Sequence, residues 1–225
     1  MNTRKSSHAK EASRKEFASQ DINQIGSCGP SLVPERQLRV IAGKYRGRTL
    51  KGPPSLKTRP TSDRLRETVF NILAPRIEGT RFVDLCAGSG AVGIEALSRG
   101  AGQVTFVDRS RQMCALISEN IRTLKIEDAD AAIVCAEAAE FLRRRVKRSS
   151  PAFDLIFFDP PYADDYDSIL DSIGANAPAL LSEDGIVIVE HYKKKELRDD
   201  YNRLRRYRQL KQGDSALSFY AVSQR

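Results

Sequence analysis

Asp84-Leu85-Cys86-Ala87-Gly88-Ser89-Gly90-Ala91-Val92-Gly93 is the stretch on which the fold turns. Arg81 to Leu85, leading into it, is a short apolar run of the kind that forms a buried strand; Ala91 to Arg99 has helical spacing. The glycines between them satisfy G-x-G-x-x-G, a strand-to-helix turn whose backbone admits a ligand, and Asp108 closes the next strand 20 residues after Gly88. A tight turn without a ligand is the plainer reading. It leaves the coincidence of strand, loop, helix and second acid unexplained.

Outward from this loop the pattern repeats. Gln103 to Val107, Ala131 to Cys135, Asp154 to Phe158 and Gly185 to Glu190 read as strands. Helices are expected from Ser110 to Leu124, from Ala138 to Val146 and after Tyr166. Repeated strand–helix units build a parallel sheet with helices on both faces. The end differs: Arg203 to Leu210 and Ala216 to Val222 flank Gly213-Asp214 as an antiparallel hairpin would. The expectation is therefore an α/β, Rossmann-like fold with a mostly parallel seven-stranded sheet and a C-terminal antiparallel hairpin. Upstream, Leu38, Val40 and Ile41 before Gly43, and Arg46 to Leu50 after it, predict a small N-terminal β-ribbon with Lys44 to Gly47 near its turn. Pro60, Thr61 and Ser62 look like a helix start; Leu65, Val69, Ile72 and Leu73 continue it and Pro75 stops it. Three segments follow: a disordered tail over 1–36, a basic ribbon and linker over 37–60, and the main domain over 61–225.

Charge is divided the same way. Residues 1–60 hold 13 basic and four acidic residues, whereas residues 61–225 hold 24 and 25. A nearly neutral body with a basic N-terminal quarter points to an anionic macromolecule, nucleic acid before membrane, because no apolar face accompanies the charge. No apolar run approaches the roughly 18 residues of a membrane span. Cys28, Cys86, Cys114 and Cys135 lie far apart and only His8 and His191 are available, so metal-ligand spacing is absent. The cysteines read as small buried hydrophobes in a reducing cytosol.

Asp84 discriminates between ligands for the loop. A pyrophosphate at this helix start would be repelled by a carboxylate at the preceding strand end, whereas a sulfonium with an amino-acid tail would be accommodated. The run acid-x-x-x-Gly-x-Gly resembles motif I of class I S-adenosylmethionine-dependent methyltransferases. The resemblance implies S-adenosyl-L-methionine as cofactor, with Asp84, Ala87, Gly88, Ser89 and Gly90 along its methionine part and Asp108 on its ribose hydroxyls; Arg109 adjoins that acid. After the third strand, where many relatives place Asp or Asn near the cofactor adenine, this chain has Ala136-Glu137, so Glu137 takes that assignment here.

Asp159-Pro160-Pro161-Tyr162 supplies the chemistry. An apolar strand delivers Asp159 to the sheet edge where ligands of such folds bind. Two prolines stiffen the turn, so the oxygens of Asp159 and Pro160 point at one spot, and Tyr162 offers a flat face. Together they fit an exocyclic amino group on a stacked base. The tetrapeptide resembles motif IV of amino methyltransferases, which act on adenine N6, guanine N2 or glutamine.

Three more stretches narrow the substrate: Arg39 to Arg48, Arg59-Pro60-Thr61-Ser62-Asp63-Arg64-Leu65-Arg66-Glu67 through Asn71, and Gly93 to Gly100. In this order ahead of the tetrapeptide they resemble the bacterial 16S rRNA guanine-N2 methyltransferase family, which modifies the guanine at position 966 of the small-subunit RNA; the resemblance covers roughly residues 38–222. It implies 16S rRNA in the small subunit or an assembly intermediate as partner, and the expectation is a cytoplasmic enzyme acting as a monomer. Lys44, Tyr45, Arg46, Arg48, Arg59 and Arg66 are the expected RNA contacts, with Tyr45 a candidate stacker. An adenine-N6 methyltransferase acting on DNA or RNA shares the tetrapeptide. An NAD(P)-dependent oxidoreductase shares the glycine loop, and a non-enzymatic RNA-binding assembly factor could share both.

Overall fold

In the computed structural model, which describes residues 38–53, 62–148, 152–161 and 165–223, the apolar runs become strands of one sheet. The expected tail 1–36, and with it Cys28, lies outside the described residues, as do Arg59, Pro60, Thr61 and Tyr162. The strands are β3 (Arg81–Leu85), β4 (Gln103–Asp108), β5 (Ala131–Cys135), β6 (Phe153–Phe158), β7 (Leu181–Tyr192), β8 (Asp200–Tyr201), β9 (Leu204–Gln212) and β10 (Ser215–Val222), in the spatial order β5-β4-β3-β6-β7-β10-β9-β8. From β5 to β7 every pairing is parallel, and from β7 to β8 every pairing is antiparallel. β1 (Leu38–Arg39) and β2 (Thr49–Leu50) form the separate antiparallel ribbon.

The alternation of the strands decides what covers each face. Phe82, Phe106, Leu155, Phe157, Ile188 and Phe219 share a core with α1 (Asp63–Leu73), α2 (Ala91–Ser98) and α3 (Arg111–Leu124). Their neighbours Val83, Leu85, Val107, Ile156, Phe158, Val187 and Tyr220 face the opposite core, with α4 (Ala138–Lys147), α5 (Tyr166–Ala175) and α6 (Ala177–Leu180). No helix of the described residues is long and apolar enough to cross a membrane.

Two expectations are corrected. The sheet has eight strands, not seven: Asn202, with φ of 56°, turns the chain so that Asp200–Tyr201 pairs with Leu204–Arg205 as an extra edge. The fifth parallel strand begins at Leu181, four residues before Gly185, because the exposed Glu183 and Asp184 sit in an irregular stretch where β6 and β7 change register between Phe153 and Leu155. The cysteines also divide: Cys114 is buried, Cys86 is half-buried and Cys135 is exposed, so burial does not describe all of them.

The topology has one switch point. From β3 the chain winds through β4 to β5 on one side and returns to β6 and β7 on the other, leaving a crevice above the carboxyl ends of β3 and β6. Ligands of doubly wound sheets bind at such a point.

Candidate active site

Each acid singled out in the sequence hangs from the same sheet edge. β3 ends at Leu85, and Cys86, Gly88 and Gly90 then take positive φ of 65°, 54° and 76°. Two of these three residues are glycines, which enter that region without the Cβ penalty; Cys86 enters it at a cost of order 1 kcal/mol that the fold absorbs. The turn is pinned from below by Ala87 N–H to Val107 C=O at 2.9 Å. Nothing lies within 4 Å of where a Gly88 Cβ would stand, so the loop opens onto free space at its crest. Gly90, the residue before α2, gives the helix no side-chain cap, and the helix start stays available to a ligand. Further in, Gly93 needs its lack of side chain for packing: a Cβ would stand 2.3 Å from Phe106 Cε1.

Asp84 lies beneath this loop and is 2% exposed. Its Oδ2 accepts from Gly93 N–H at 2.9 Å. Burial pushes the carboxyl up to about 7; the Gly93 bond works against that rise and the charge of Asp108 adds to it. Asp108 ends β4, and its two oxygens accept from Gly88 N–H at 2.9 Å and Ser110 N–H at 2.8 Å. It therefore braces the glycine loop directly. A carboxylate has about four acceptor sites, so two such bonds leave capacity for a pair of hydroxyls. At the end of β5, Glu137 precedes α4 and stands 3.8 Å from Arg109, both more than half exposed.

The Asp159 tetrapeptide leaves the neighbouring strand. Leu85 pairs with Phe158, and Asp159 N–H reaches Leu85 C=O at 3.4 Å, so Asp159 emerges one strand-width from the glycine loop. The Pro160 carbonyl accepts from the buried Tyr166 hydroxyl at 3.3 Å. Tyr166 opens α5, and Lys195 Nζ stands 4.4 Å over its ring. Sequence reading passed over Tyr166; a tyrosine among the apolar positions of a helix directly after the tetrapeptide was the available signal.

The three stretches that narrowed the substrate prove to be one buried assembly. Glu95 of α2 is fully buried; its oxygens accept from Ile41 N–H at 2.7 Å, Ala42 N–H at 3.0 Å and Arg99 Nε at 2.7 Å. Lys44 N–H donates to Ser98 C=O at 2.7 Å and Tyr45 N–H to Ser98 Oγ at 2.9 Å. Arg66 of α1 donates to Arg39 C=O at 2.6 Å and to Asp63 at 3.0 Å, with its Nε 3.9 Å from Glu95. The ribbon is thus bolted to α2 and α1 through two buried charges of opposite sign.

This assembly corrects one expected RNA contact. Arg66 is fully buried, and burial lowers its affinity for its proton, so it braces the ribbon and offers nothing to a phosphate. Lys44, Arg46 and Arg48 are exposed. The Tyr45 ring packs partly against the helical core with Lys44 Nζ 5.3 Å above it, which ties up one face. The ribbon turn meets the C-terminal end of α2, whose eight residues place it about 12 Å along the axis from the glycine loop.

A residue missed in the sequence links the two regions. Asn120 of α3 is 2% exposed. Its side chain accepts from Lys51 N–H at 2.8 Å and donates to Lys51 C=O and to Ser89 C=O, both at 3.1 Å. The chain leaving the ribbon is thereby fastened to the glycine loop itself.

Comparison with known proteins agrees with this geometry. Residues 38–221 match the family described as Conserved hypothetical protein 95. YlbH of Bacillus subtilis (strain 168), named as an rRNA methyltransferase, is 38% identical over 160 residues, covering 71% of this chain and 85% of that protein. Ribosomal RNA small subunit methyltransferase D of Escherichia coli (strain K12) is 42% identical over 133 residues, covering 59% of this chain and 64% of that protein, just under two thirds of it. Among solved structures, yhhF from Escherichia coli superposes with a TM-score of 0.70 at 31% identity, covering 83% of this chain and 98% of that one. With the class I methyltransferase fold and a match over nearly all of its described length, the chain belongs to the Conserved hypothetical protein 95 family of methyltransferase-D-like proteins.

Proposed function

We propose that this protein is a cytoplasmic S-adenosylmethionine-dependent rRNA methyltransferase that transfers a methyl group to the exocyclic N2 of a guanine in 16S rRNA, at position 966 by family resemblance. The observation that supports it best is the bond from Asp159 N–H to Leu85 C=O, which sets the amino-acceptor tetrapeptide immediately beside the glycine loop.

The residues present fit the cofactor. The open crest at Gly88, the uncapped start of α2 and the buried, partly protonated Asp84 would hold its methionine portion; Asp108 would take the ribose hydroxyls and Glu137 would face the adenine. When bound, S-adenosylmethionine supplies an electrophilic methyl group on a cationic sulfur. The chain's own work is positioning. The Asp159 carboxylate and the Pro160 carbonyl accept the two N–H bonds of the amino group, which turns the nitrogen lone pair toward the methyl carbon. With the cofactor bound, that alignment would let the nitrogen take the methyl group as the neutral thioether departs, and the proton shed by the alkylated nitrogen would pass to water. The amino group needs no prior deprotonation, because its proton becomes acidic only as the nitrogen gains positive charge, so Asp159 acts as orienter. Tyr162 would stack the flipped base, and Tyr166 holds the Pro160 carbonyl in place. Lys44, Arg46 and Arg48, with Arg59, would grip backbone phosphates away from the reacting base.

The test is transfer to small ribosomal subunits, or to their assembly intermediates, isolated from cells lacking the protein, followed by mass spectrometry of the nucleosides. N2-methylguanine is expected. N6-methyladenine, or no transfer despite cofactor binding, would replace the reading. Asp159→Ala should abolish transfer while calorimetry still detects the cofactor.

A further inference from the structure

The tetrapeptide holds an amino group but does not distinguish guanine from adenine. Guanine N2 and adenine N6 are both exocyclic amines, and the difference lies in the adjacent ring nitrogen. Guanine presents N1–H, a donor, whereas adenine presents a bare N1, an acceptor. A pocket selective for guanine needs a second acceptor beside the first.

β7 supplies one. Its run Ile186-Val187-Ile188-Val189 is apolar and buried throughout, and it is broken by Glu190, itself only 5% exposed. β6 and β7 are parallel, with Phe158 opposite Val189, so the next residues, Asp159 and Glu190, stand side by side at the same level of the edge. Adjacent strands lie about 4.8 Å apart. Both acids also share a face. Glu190 pairs across to Leu217, which lies in the core covered by α1 to α3, and Asp159 follows Phe157 of that same core by two residues. Ser215 Oγ of β10 donates to Glu190 Oε1 at 3.0 Å and fixes the carboxylate from the side away from β6.

We propose that Glu190 is the specificity-determining residue of this pocket, accepting guanine N1–H while Asp159 and Pro160 hold the N2 amino group. This rests on the guanine-N2 reading above. A carboxylate at that place repels the N1 lone pair of adenine and leaves the adenine without a donor. The N1–H bond pushes electron density toward N2, the atom that must act as nucleophile.

The experiment uses the full chain and RNA fragments in which the methylated nucleotide, first located by mass spectrometry, is guanine or 2-aminopurine. 2-Aminopurine keeps the amino group but presents a bare N1. The wild type should methylate guanine with a kcat/KM at least about 100-fold above 2-aminopurine, as expected where a buried polar group is left unpaired. Glu190→Gln offers an N–H to the bare N1, so its preference should shrink to within about tenfold while its affinity for the cofactor holds. The missing O6 weighs on both proteins alike, so the ratio between them isolates N1. A Glu190 that merely anchored Ser215 would slow both substrates equally and leave the ratio unchanged, which overturns the proposal. Equal rates of the wild type on the two bases overturn it without any variant, should Glu190→Gln fail to fold. A wild type that makes N6-methyladenine instead removes the underlying guanine reading, a different failure visible before any substitution is made.

Discussion

Replacing Asp84 by asparagine probes the electrostatics under the glycine loop. In the folded chain burial moves this carboxyl from 3.8 to about 7. Between those values the unfolded chain has released a proton that the folded chain still holds. Unfolding therefore releases a proton, and rising pH weakens the fold by up to about 1.4 kcal/mol per pH unit through this one group. Above the folded value both states are ionised and the effect stops growing. Integrated from pH 5 to pH 8, the loss is about 2.5 kcal/mol, most of it incurred before pH 7. Asparagine keeps an oxygen for Gly93 N–H and cannot ionise. The stability difference between Asp84→Asn and the wild type, read from urea titrations at pH 5, 6, 7 and 8, should thus move in favour of the variant by about that amount and then level off. Cofactor binding should run the other way. A cationic ligand favours the ionised carboxylate, so binding expels the proton, and wild-type affinity should fall by up to about tenfold per pH unit below 7. Calorimetry in buffers of different ionisation enthalpy counts that proton. A stability difference that stays flat from pH 5 to 8 would refute a proton-holding Asp84.

Two further outcomes follow from the ribbon and its mounting. Replacing Lys44, Arg46 and Arg48 together by alanine should weaken RNA binding and flatten the slope of log affinity against log salt by about 2 to 3, with cofactor affinity unchanged in calorimetry; an unaltered slope would return that charge to solubility alone. Gly43→Ala should release the ribbon from α2, because φ is +81° and the new Cβ would stand 1.7 Å from the Ser98 carbonyl; hydrogen exchange should show Lys44 and Tyr45 amides losing protection while β3 amides keep theirs.

The parallel part of the fold was legible because its central strands β3 and β6 are buried on both faces and read as short, largely apolar runs, with glycines marking the turn after the first. The site was legible for the related reason that ligands of this topology sit at strand ends, and Asp84, Asp108 and Asp159 each follow an apolar run. Arg66 was misread although a signal existed: Arg66, Val69, Phe70 and Leu73 fall on one helical stripe, which places the arginine among core residues. Its partner Glu95 sits in a helix buried all round, where nothing local announces a carboxylate. Asn120 and Glu190 escaped because what they touch, the Ser89 carbonyl and Ser215, comes from distant stretches of chain. The two-residue β8 was invisible because it depends on a turn at Asn202 with no glycine to mark it.

Helix α2 can finally be considered as a shaft. The glycine loop is keyed to one end of it and the ribbon turn to the other, through Glu95 and Ser98. An α-helix advances about 1.5 Å and turns about 100° per residue, so one residue inserted between Gly90 and Glu95 would swing the basic turn roughly a quarter of the way round the molecule while scarcely lengthening the shaft. Angular phase, more than reach, then sets how an RNA gripped at the far end presents its base to the crevice. Length changes in this family should accordingly be tolerated at the tip of the ribbon and excluded from these eight residues.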